Sequence, residues 1–535
     1  MSSLSRRHFL TSTAVAGGAV ALPALAASPA SADPAADGDV GALSVVTRDD
    51  PRYAGLLTGS NQRWVASPER IHLVRTADDV VRAVRDAVHA GRRVAVRSGG
   101  HCDEDFSSNG APVLIDLSLM DEVGYDPHRR AFAVQPGATL GAVYHKLYRG
   151  WGVTLPGGTC PTVGAGGHIV GGGYGALSRL HGLTVDHLHA VEVVVVGADR
   201  EARKVVATSD PGDPHRELWW AHTGGGGGTF GVVTRYWLRT PGTADLPPER
   251  QLPRPPANLL VSDVSWSWAD LDERSFTRIL RNYTEFFERN SAPGSPWAAL
   301  FSQLKPTHKA AGAFTMSTQV DASAPDAHGL LDAFLAAVGD GTGVRYRVND
   351  RSTVPWTYAA KEWFGFVTAA VPRWKAKSAY LRKAPPEPQL KAFHRHLTRD
   401  DYGNPSATVV LAAYGGRINA VGRGETATAQ RDSVLKLLYL SLWTDRAADA
   451  EHIRWVREFY ADVYAETGGV PAPGDVTDGC YINYPDVDMA DPAINTSGVP
   501  WHALYFKDGY PRLRRVKAAY DPLGVFSHAL AVRAD

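Results

Sequence analysis

Cysteine is scarce: 535 residues carry only three, Cys102, Cys160 and Cys480. That is too few for a disulfide framework, and the odd number leaves at least one thiol free, intermolecular or otherwise consumed. A charge excess of either sign is also missing, with 56 basic residues against 56 acidic and no polybasic tract. Nucleic acid and anionic membrane surfaces therefore have no electrostatic footprint here, and a small neutral or amphipathic molecule ranks first as partner. The Ala/Gly-rich stretch near the N-terminus is too short and too Gly-rich for a membrane span, and no later run reaches the ~18–20 apolar residues one needs. No Gly-rich stretch ends in Gly-Lys-Ser/Thr, and none gives G-x-G-x-x-G opening a helix with an acid on the next strand, so neither standard nucleotide-binding loop is present. Internal repeats are absent.

What is present starts with length. Hydrophobic cores stop growing at roughly 250–300 residues, so two or more domains are expected. Apolar residues at 44% and fourteen tryptophans fit a well-packed chain with aromatic-lined clefts. Near the N-terminus "SRRHFL" sets twin arginines before an Ala/Gly-rich stretch, and Ala30-Ser31-Ala32 offers a small-residue cleavage site. Residues 1–32 are expected to be a twin-arginine signal peptide, residues 33–60 a linker, and the protein to be secreted. That route carries folded chains and suits a cofactor inserted before export.

Beyond the linker the texture is α+β. Thr76 caps a helix with Val80, Val81, Val84 and Val88 at helical spacing and Gly91 as its stop. Strands are predicted at 94–97, 113–117, 131–135, 191–196 and 231–238, with a helix over 139–148 among them. A Pro-rich segment, 240–258, marks a boundary. Past it, helices at 274–290 and 450–469 and strands at 312–320 and 407–414 form a second region. The last stretch changes texture again and reads as a return to the first domain. The expected domains are 61–241, 242–470 and 471–535.

Three Gly-rich loops carry the chemistry. "TLPGGTCPTVGAGGHIVGGGYG" (154–175) holds nine glycines and Cys160, "RSGGH" (97–101) follows a strand, and "HTGGGGGTFG" (222–231) precedes one. Consecutive N–H groups in such turns form anion sites, and three around one sheet suggest a ligand with a diphosphate. No metal site is expected: the neighbours in "HCDEDF" seldom share one ion, and the histidines of "HGLTVDHLH" (181–189) read as surface residues.

"VRSGGHCDEDF", "PGGTCPTVGAGGHIVGGGYGALSRLHGLTVDHL", "WWAHTGGGGGTFGVVTRYW", "YINYPD" and "WHALYFKDGYPRLRRVKAAYDPLGVFSH" together resemble the berberine-bridge-enzyme-like flavin oxidases of the vanillyl-alcohol-oxidase superfamily. The resemblance is closest in style to secreted actinobacterial oxidases of natural products. It implies a PCMH-type FAD-binding domain of two subdomains plus a substrate domain with an antiparallel sheet flanked by helices. It also implies FAD held covalently twice, by His101 through a ring nitrogen and by Cys160 through sulfur, the two side-chain types nucleophilic enough to add to an oxidised flavin. Around the cofactor it places Arg97, Ser98, Gly99 and Gly100; Val163, Gly164, Gly166, Gly167, His168 and Gly171; Gly228, Thr229, Gly231 and Val232; and Asn483.

If "CYINYPD" is a strand, Tyr481 and Asn483 share one face and Ile482 and Tyr484 the other. The resemblance turns the first face to the flavin, with Tyr481 the base that takes a hydroxyl proton while hydride moves to the ring. A phenol needs nearby positive charge or hydrogen bonds for that task. Tyr174 and Tyr414 are further catalytic candidates by the same analogy. Val163, three beyond Cys160, is associated in the family with oxygen access, so reoxidation by O2 to H2O2 is expected. Asp103 departs from the family, which often has a large aromatic there; a carboxylate lining the pocket points to a more polar or cationic substrate. The expected reaction is oxidation of an alcohol on a sugar or natural-product scaffold to a carbonyl. Anomeric oxidation of an oligosaccharide, carbon–carbon bond formation and a flavin-carrying binding protein without turnover are the alternatives. Aromatic residues of 354–366 could line the substrate cleft or belong to the core.

Overall fold

The computed structural model of the protein describes residues 44–108, 110–364 and 372–534. The expected signal peptide and the first part of the 33–60 linker lie outside these residues, as does the end of the 354–366 segment.

A four-stranded sheet is built from β1 (Ser44–Val46), β2 (Arg70–Leu73), β3 (Val94–Arg97) and β4 (Val113–Asp116), in the order β1-β2-β4-β3. β2 and β3 run parallel to β4, and β1 is antiparallel to β2. A strand at 44–46 means that the expected linker already contains part of a sheet. The helix between β2 and β3 is Ala77–His89. Thr76 and Asp79 close a reciprocal capping box, Thr76 Oγ1 accepting from Asp79 N at 3.1 Å and Asp79 Oδ2 from Thr76 N at 2.9 Å. Its buried face is Val80, Ala83, Val84, Ala87 and Val88, while Val81 is half-buried.

The second sheet contains β5 (Val123–Asp126), β6 (Ala131–Val134), β7 (Leu188–Val196), β8 (Ala202–Thr208) and β9 (Val232–Leu238). It is antiparallel throughout, in the order β5-β6-β9-β7-β8. These two sheets match the two-subdomain FAD-binding domain that the resemblance implies. The third sheet takes over after residue 258, past the Pro-rich segment, with β10 (Asn258–Ser267), β11 (Leu300–Lys305), β12 (Ala313–Asp321), β13 (Arg347–Pro355), β14 (Arg373–Leu381), β15 (Ala407–Ala413) and β16 (Leu435–Trp443). Its order, β13-β10-β12-β11-β15-β16-β14, is wholly antiparallel.

Because strand side chains alternate, one face of this sheet sends Phe301, Gln303, Trp374, Ala376, Val410, Ala412, Lys436, Leu438, Leu440 and Leu442 toward the central cavity. The other face packs helices Glu273–Asn290, Glu387–Thr398 and Asp449–Val463. The last of these stops six residues short of the predicted end at 469. The C-terminal segment does return to the first region: Lys517 Nζ donates to Thr229 O (2.6 Å) and Phe526 O (2.7 Å), fastening the last helix, Tyr510–Tyr520, to a Gly-rich loop. Of the described aromatics of the 354–366 segment, Trp356 and Phe364 are core residues, Trp363 is half-buried and Tyr358 is exposed; Trp356 packs on Tyr148 with ring centroids 5.1 Å apart. His187 and His189 are buried rather than superficial, His187 bridging Thr240 Oγ1 (2.9 Å) and His181 O (3.0 Å).

Candidate active site

The Gly-rich loops meet around a cavity of about 580 Å³ beneath the third sheet, within the range of small-molecule sites. Many of the glycines let main chain lie against main chain. A Cβ on Gly99 would stand 2.3 Å from Gly164 N, and one on Gly164 would stand 2.2 Å from Ser98 Oγ. Only glycine permits this approach, which presses the loop carrying His101 onto the loop carrying Cys160. Gly167 differs: it lines the cavity, and a Cβ there would meet nothing within 4 Å, so the missing side chain leaves open space for a ligand.

His101 and Cys160 both line this cavity. Thr162 joins them, its hydroxyl lying 3.0 Å from His101 Nε2 and 3.4 Å from Cys160 Sγ. The two nucleophilic side chains therefore stand one hydroxyl apart. Burial lowers the His101 pKa, which keeps the imidazole neutral and its lone pair available. The other thiols are poor nucleophiles, since burial pushes Cys102 and Cys480 each up to about 12.

Of the remaining predicted cofactor residues, Ser98, Gly99, Gly100, Val163, Gly164, Gly166, Gly167, His168, Gly228, Thr229, Gly231 and Asn483 line the cavity. Three do not. Arg97 is spent on Asp116, its register partner across β3 and β4, with Nε and Nη2 both donating to Oδ2 at 2.9 and 2.8 Å. Gly171 makes room for Asn483, whose Oδ1 a Cβ would approach to 1.9 Å. Val232 is a fully buried core residue. His168 serves the Cys160 loop, its Nε2 accepting from Gly158 N at 3.0 Å, and burial holds its imidazole neutral, with the pKa lowered to about 3.

"CYINYPD" is a turn, not a strand, with Tyr484 N donating to Tyr481 O at 2.9 Å. Both tyrosines consequently face the cavity, their ring centroids 5.2 Å apart and edge to face. Asn483 Nδ2 donates to Tyr481 Oη (3.2 Å) and to His168 O (2.9 Å), so the predicted pairing of Tyr481 with Asn483 survives by a different geometry. Tyr174 contributes a wall but not a free phenol, because its hydroxyl donates to Ala413 O at 2.5 Å. Tyr414 does not reach the cavity: it packs behind Tyr174 and Tyr380, and its hydroxyl donates to Gln430 O at 3.1 Å.

Sequence reasoning missed Lys436. Its Nζ lies 4.2, 4.4 and 4.3 Å from the ring centroids of Tyr174, Tyr481 and Tyr484, and it is 4% exposed. Among the described residues it has no ion-pair partner within 4 Å. Burial drives its pKa well below the ordinary lysine value, with Asp103 opposing only in part. Burial also pushes Tyr481 up to about 12, while Asn483 and the amides of Gly173 and Tyr174 pull the other way. Lys436 Nζ lies over the face of the Tyr481 ring, where a charged amine is attracted by the ring's negative face. The signal was available: "VLKLLYLSLW" places one lysine in an apolar strand.

A buried ion cluster holds these parts together. Lys375 Nζ binds Glu104 (2.8 Å) and Asp486 (2.6 Å), and Lys377 Nζ binds Asp486 (2.5 Å) and Asp488 (2.8 Å). Burial works against the Lys375 charge, yet Asp486, Glu104 and Asp488 outweigh it and hold its pKa above the usual value. The cluster ties the loop after His101 to the turn after Tyr481 through β14. Glu104→Ala should lower unfolding free energy by about 3 kcal/mol, because it strands part of a buried charge. The exposed control Glu273→Ala should change it by less than about 1 kcal/mol. Urea denaturation measures both, and equal small losses would contradict the cluster's structural role.

Among the described residues no group of three or more His, Cys, Asp or Glu is placed to hold a metal ion, and no helix is long and apolar enough to cross a membrane. Residues 68–199 match the family described as FAD binding domain, and residues 480–533 match the family described as berberine and berberine like. The chain is 50% identical to aclacinomycin-N/aclacinomycin-A oxidase of Streptomyces galilaeus, over 100% of this chain and 99% of that protein. Two solved structures share the fold closely. CrmK, a flavoenzyme of caerulomycin biosynthesis, has a TM-score of 0.90 at 49% identity, covering 92% of this chain and 100% of its own. The glycopeptide hexose oxidase DBV29, solved with teicoplanin, has a TM-score of 0.88 at 51% identity, covering 92% and 99%.

Proposed function

Because the chain belongs to the berberine and berberine-like family of FAD-linked oxidoreductases, we propose that it is an exported oxidase with FAD bonded to both His101 and Cys160. It converts an alcohol on a sugar or natural-product scaffold to a carbonyl, and O2 is reduced to H2O2. Its relatives named above are oxidases and flavoenzymes of sugars and natural products. The observation that carries the reading is the convergence of His101, Thr162 and Cys160 on one side of a cavity whose roof holds Tyr481 under Lys436.

Bound FAD supplies the acceptor for a hydride. The protein's residues do the rest. Tyr481 takes the hydroxyl proton, and Lys436 stabilises the resulting phenolate or carries the proton itself. Asn483 fixes the phenol oxygen by donating to it, and its second bond, to His168 O, keeps the amide from turning. Tyr174 and Tyr484 close the cage and exclude water, which strengthens the charge interactions within it. Thr162 holds His101 and Cys160 side by side, where both would anchor the flavin. Val163, half-buried in the cavity wall, leaves the space that oxygen uses.

Incubating the purified protein in air with hexoses, short oligosaccharides and glycosylated polyketides should release peroxide with at least one of the sugar-bearing compounds, and the flavin should bleach when oxygen is withheld. Bleaching without peroxide in air would make it a dehydrogenase; absence of both across the panel would overturn the oxidase reading.

A further inference from the structure

Asp103 stands two residues beyond His101 and lines the cavity. The loop around it is held rigidly, since Asp103 O accepts from Asn61 Nδ2 (3.1 Å) and from Trp64 Nε1 (2.9 Å). Its carboxyl is held too, Oδ1 accepting from Trp374 Nε1 at 2.8 Å. Oδ2 is buried and has no hydrogen-bond partner. A buried carboxylate oxygen without a donor costs free energy unless something supplies one.

Neighbouring groups do not supply it. Glu104, the next residue, is taken up by Lys375, and Lys375 in turn binds Asp486. Lys436 is held within its cage of tyrosine rings and makes no ion pair with Asp103 within 4 Å. Among the described residues Asp103 is the one carboxylate that lines the cavity, and apart from Lys436 and several histidines the other lining side chains are apolar, glycine or neutral polar. Burial, with Glu104 and Asp486 adding to it, raises the Asp103 pKa to about 7 against the pull of Trp374 and Lys375. An isolated carboxylate in such a wall is complementary to a cation that enters with the ligand.

We propose that Asp103 is the substrate-selecting residue of this site and that the preferred substrates are glycosides carrying a protonated amine, which pairs with the Asp103 carboxylate while the alcohol to be oxidised lies against Tyr481. The proposal rests on the oxidase reading above. It adds the class of substrate and the residue that recognises it.

The test uses the flavin-loaded protein and two matched probes, daunorubicin, a polyketide glycoside with an amino sugar, and its counterpart with hydroxyl in place of the amine. Binding is read from perturbation of the flavin absorbance without oxygen, and turnover from peroxide in air. Wild-type protein should bind the amine at least about ten-fold more tightly than the hydroxyl form. In Asp103→Asn, which keeps the acceptor for Trp374 Nε1 but presents an amide, that ratio should fall to near one. Asp103→Ser provides a second variant with the same expectation. A wild-type ratio near one, or a ratio that both variants leave intact, would overturn the proposal. Preferential amine binding without peroxide from either probe would leave Asp103 as the recognition residue and count against the oxidase reading. Peroxide from both probes at equal kcat/KM would do the reverse.

Discussion

Tyr481→Phe should leave the cofactor bound and its spectrum unchanged while flavin reduction by substrate falls by about 10²–10⁴-fold, the usual contribution of a positioned general base. The ring stays, so the cage around Lys436 keeps its shape; only the oxygen that Asn483 holds at 3.2 Å is removed. Burial keeps this phenol protonated near neutral pH, so the wild-type reductive rate should climb as pH rises and the proton becomes easier to remove. The phenylalanine variant should lose that climb. Tyr414→Phe is the contrasting case. Its hydroxyl serves Gln430 O behind the cavity wall, and its loss should cost about 1 kcal/mol of stability with reduction nearly intact. Stopped-flow reduction without oxygen measures both variants. A Tyr481→Phe protein that reduces at the wild-type rate would remove Tyr481 from the chemistry.

Replacing both His101 and Cys160 by alanine should change flavin attachment from complete to none. After acid precipitation the wild-type pellet should stay yellow, as should the pellet of either single variant, while the double variant should yield a colourless pellet and FAD in the supernatant. Intact mass of each protein counts the adducts directly. Both side chains meet one Thr162 hydroxyl, so a ligand edge that reaches one reaches the other. Cys102 cannot substitute for Cys160 although it adjoins His101, because burial keeps its thiol protonated. A colourless pellet from one single variant would reduce the attachment to one bond; a yellow pellet from the double variant would move it elsewhere in the chain.

The helix at Thr76 and the Pro-rich changeover near 250 were legible because their causes are local: a cap three residues from its partner, a spacing of three and four, a residue that cannot donate. β10, β11, β13, β14 and β16 escape the sequence reading, and the lysines of β14 look like surface residues until their partners arrive from other elements. Lys375 and Lys377 are 271 and 109 residues from Glu104 and Asp486. The resemblance places Arg97 at the cofactor, yet the partner that claims it, Asp116, lies in the neighbouring parallel strand. The same resemblance places Gly171 and Val232 at the cofactor, and the fold gives both to packing instead.

By itself the sequence determined the α+β class and singled out His101 and Cys160 as candidate attachment residues, Tyr481 as candidate base, and Asp103 as a departure. Each depends on residue type within a short motif, which composition and order preserve. Only the tertiary structure decided that the dense glycines of 154–175 press one loop onto another as much as onto a ligand, that Tyr414 stands behind Tyr174, that Lys436 sits among three rings, and that Asp103 Oδ2 is left without a donor. These are statements about which distant groups exclude water from one another, and a linear order of residues does not encode that exclusion until the sheets have closed over the cavity.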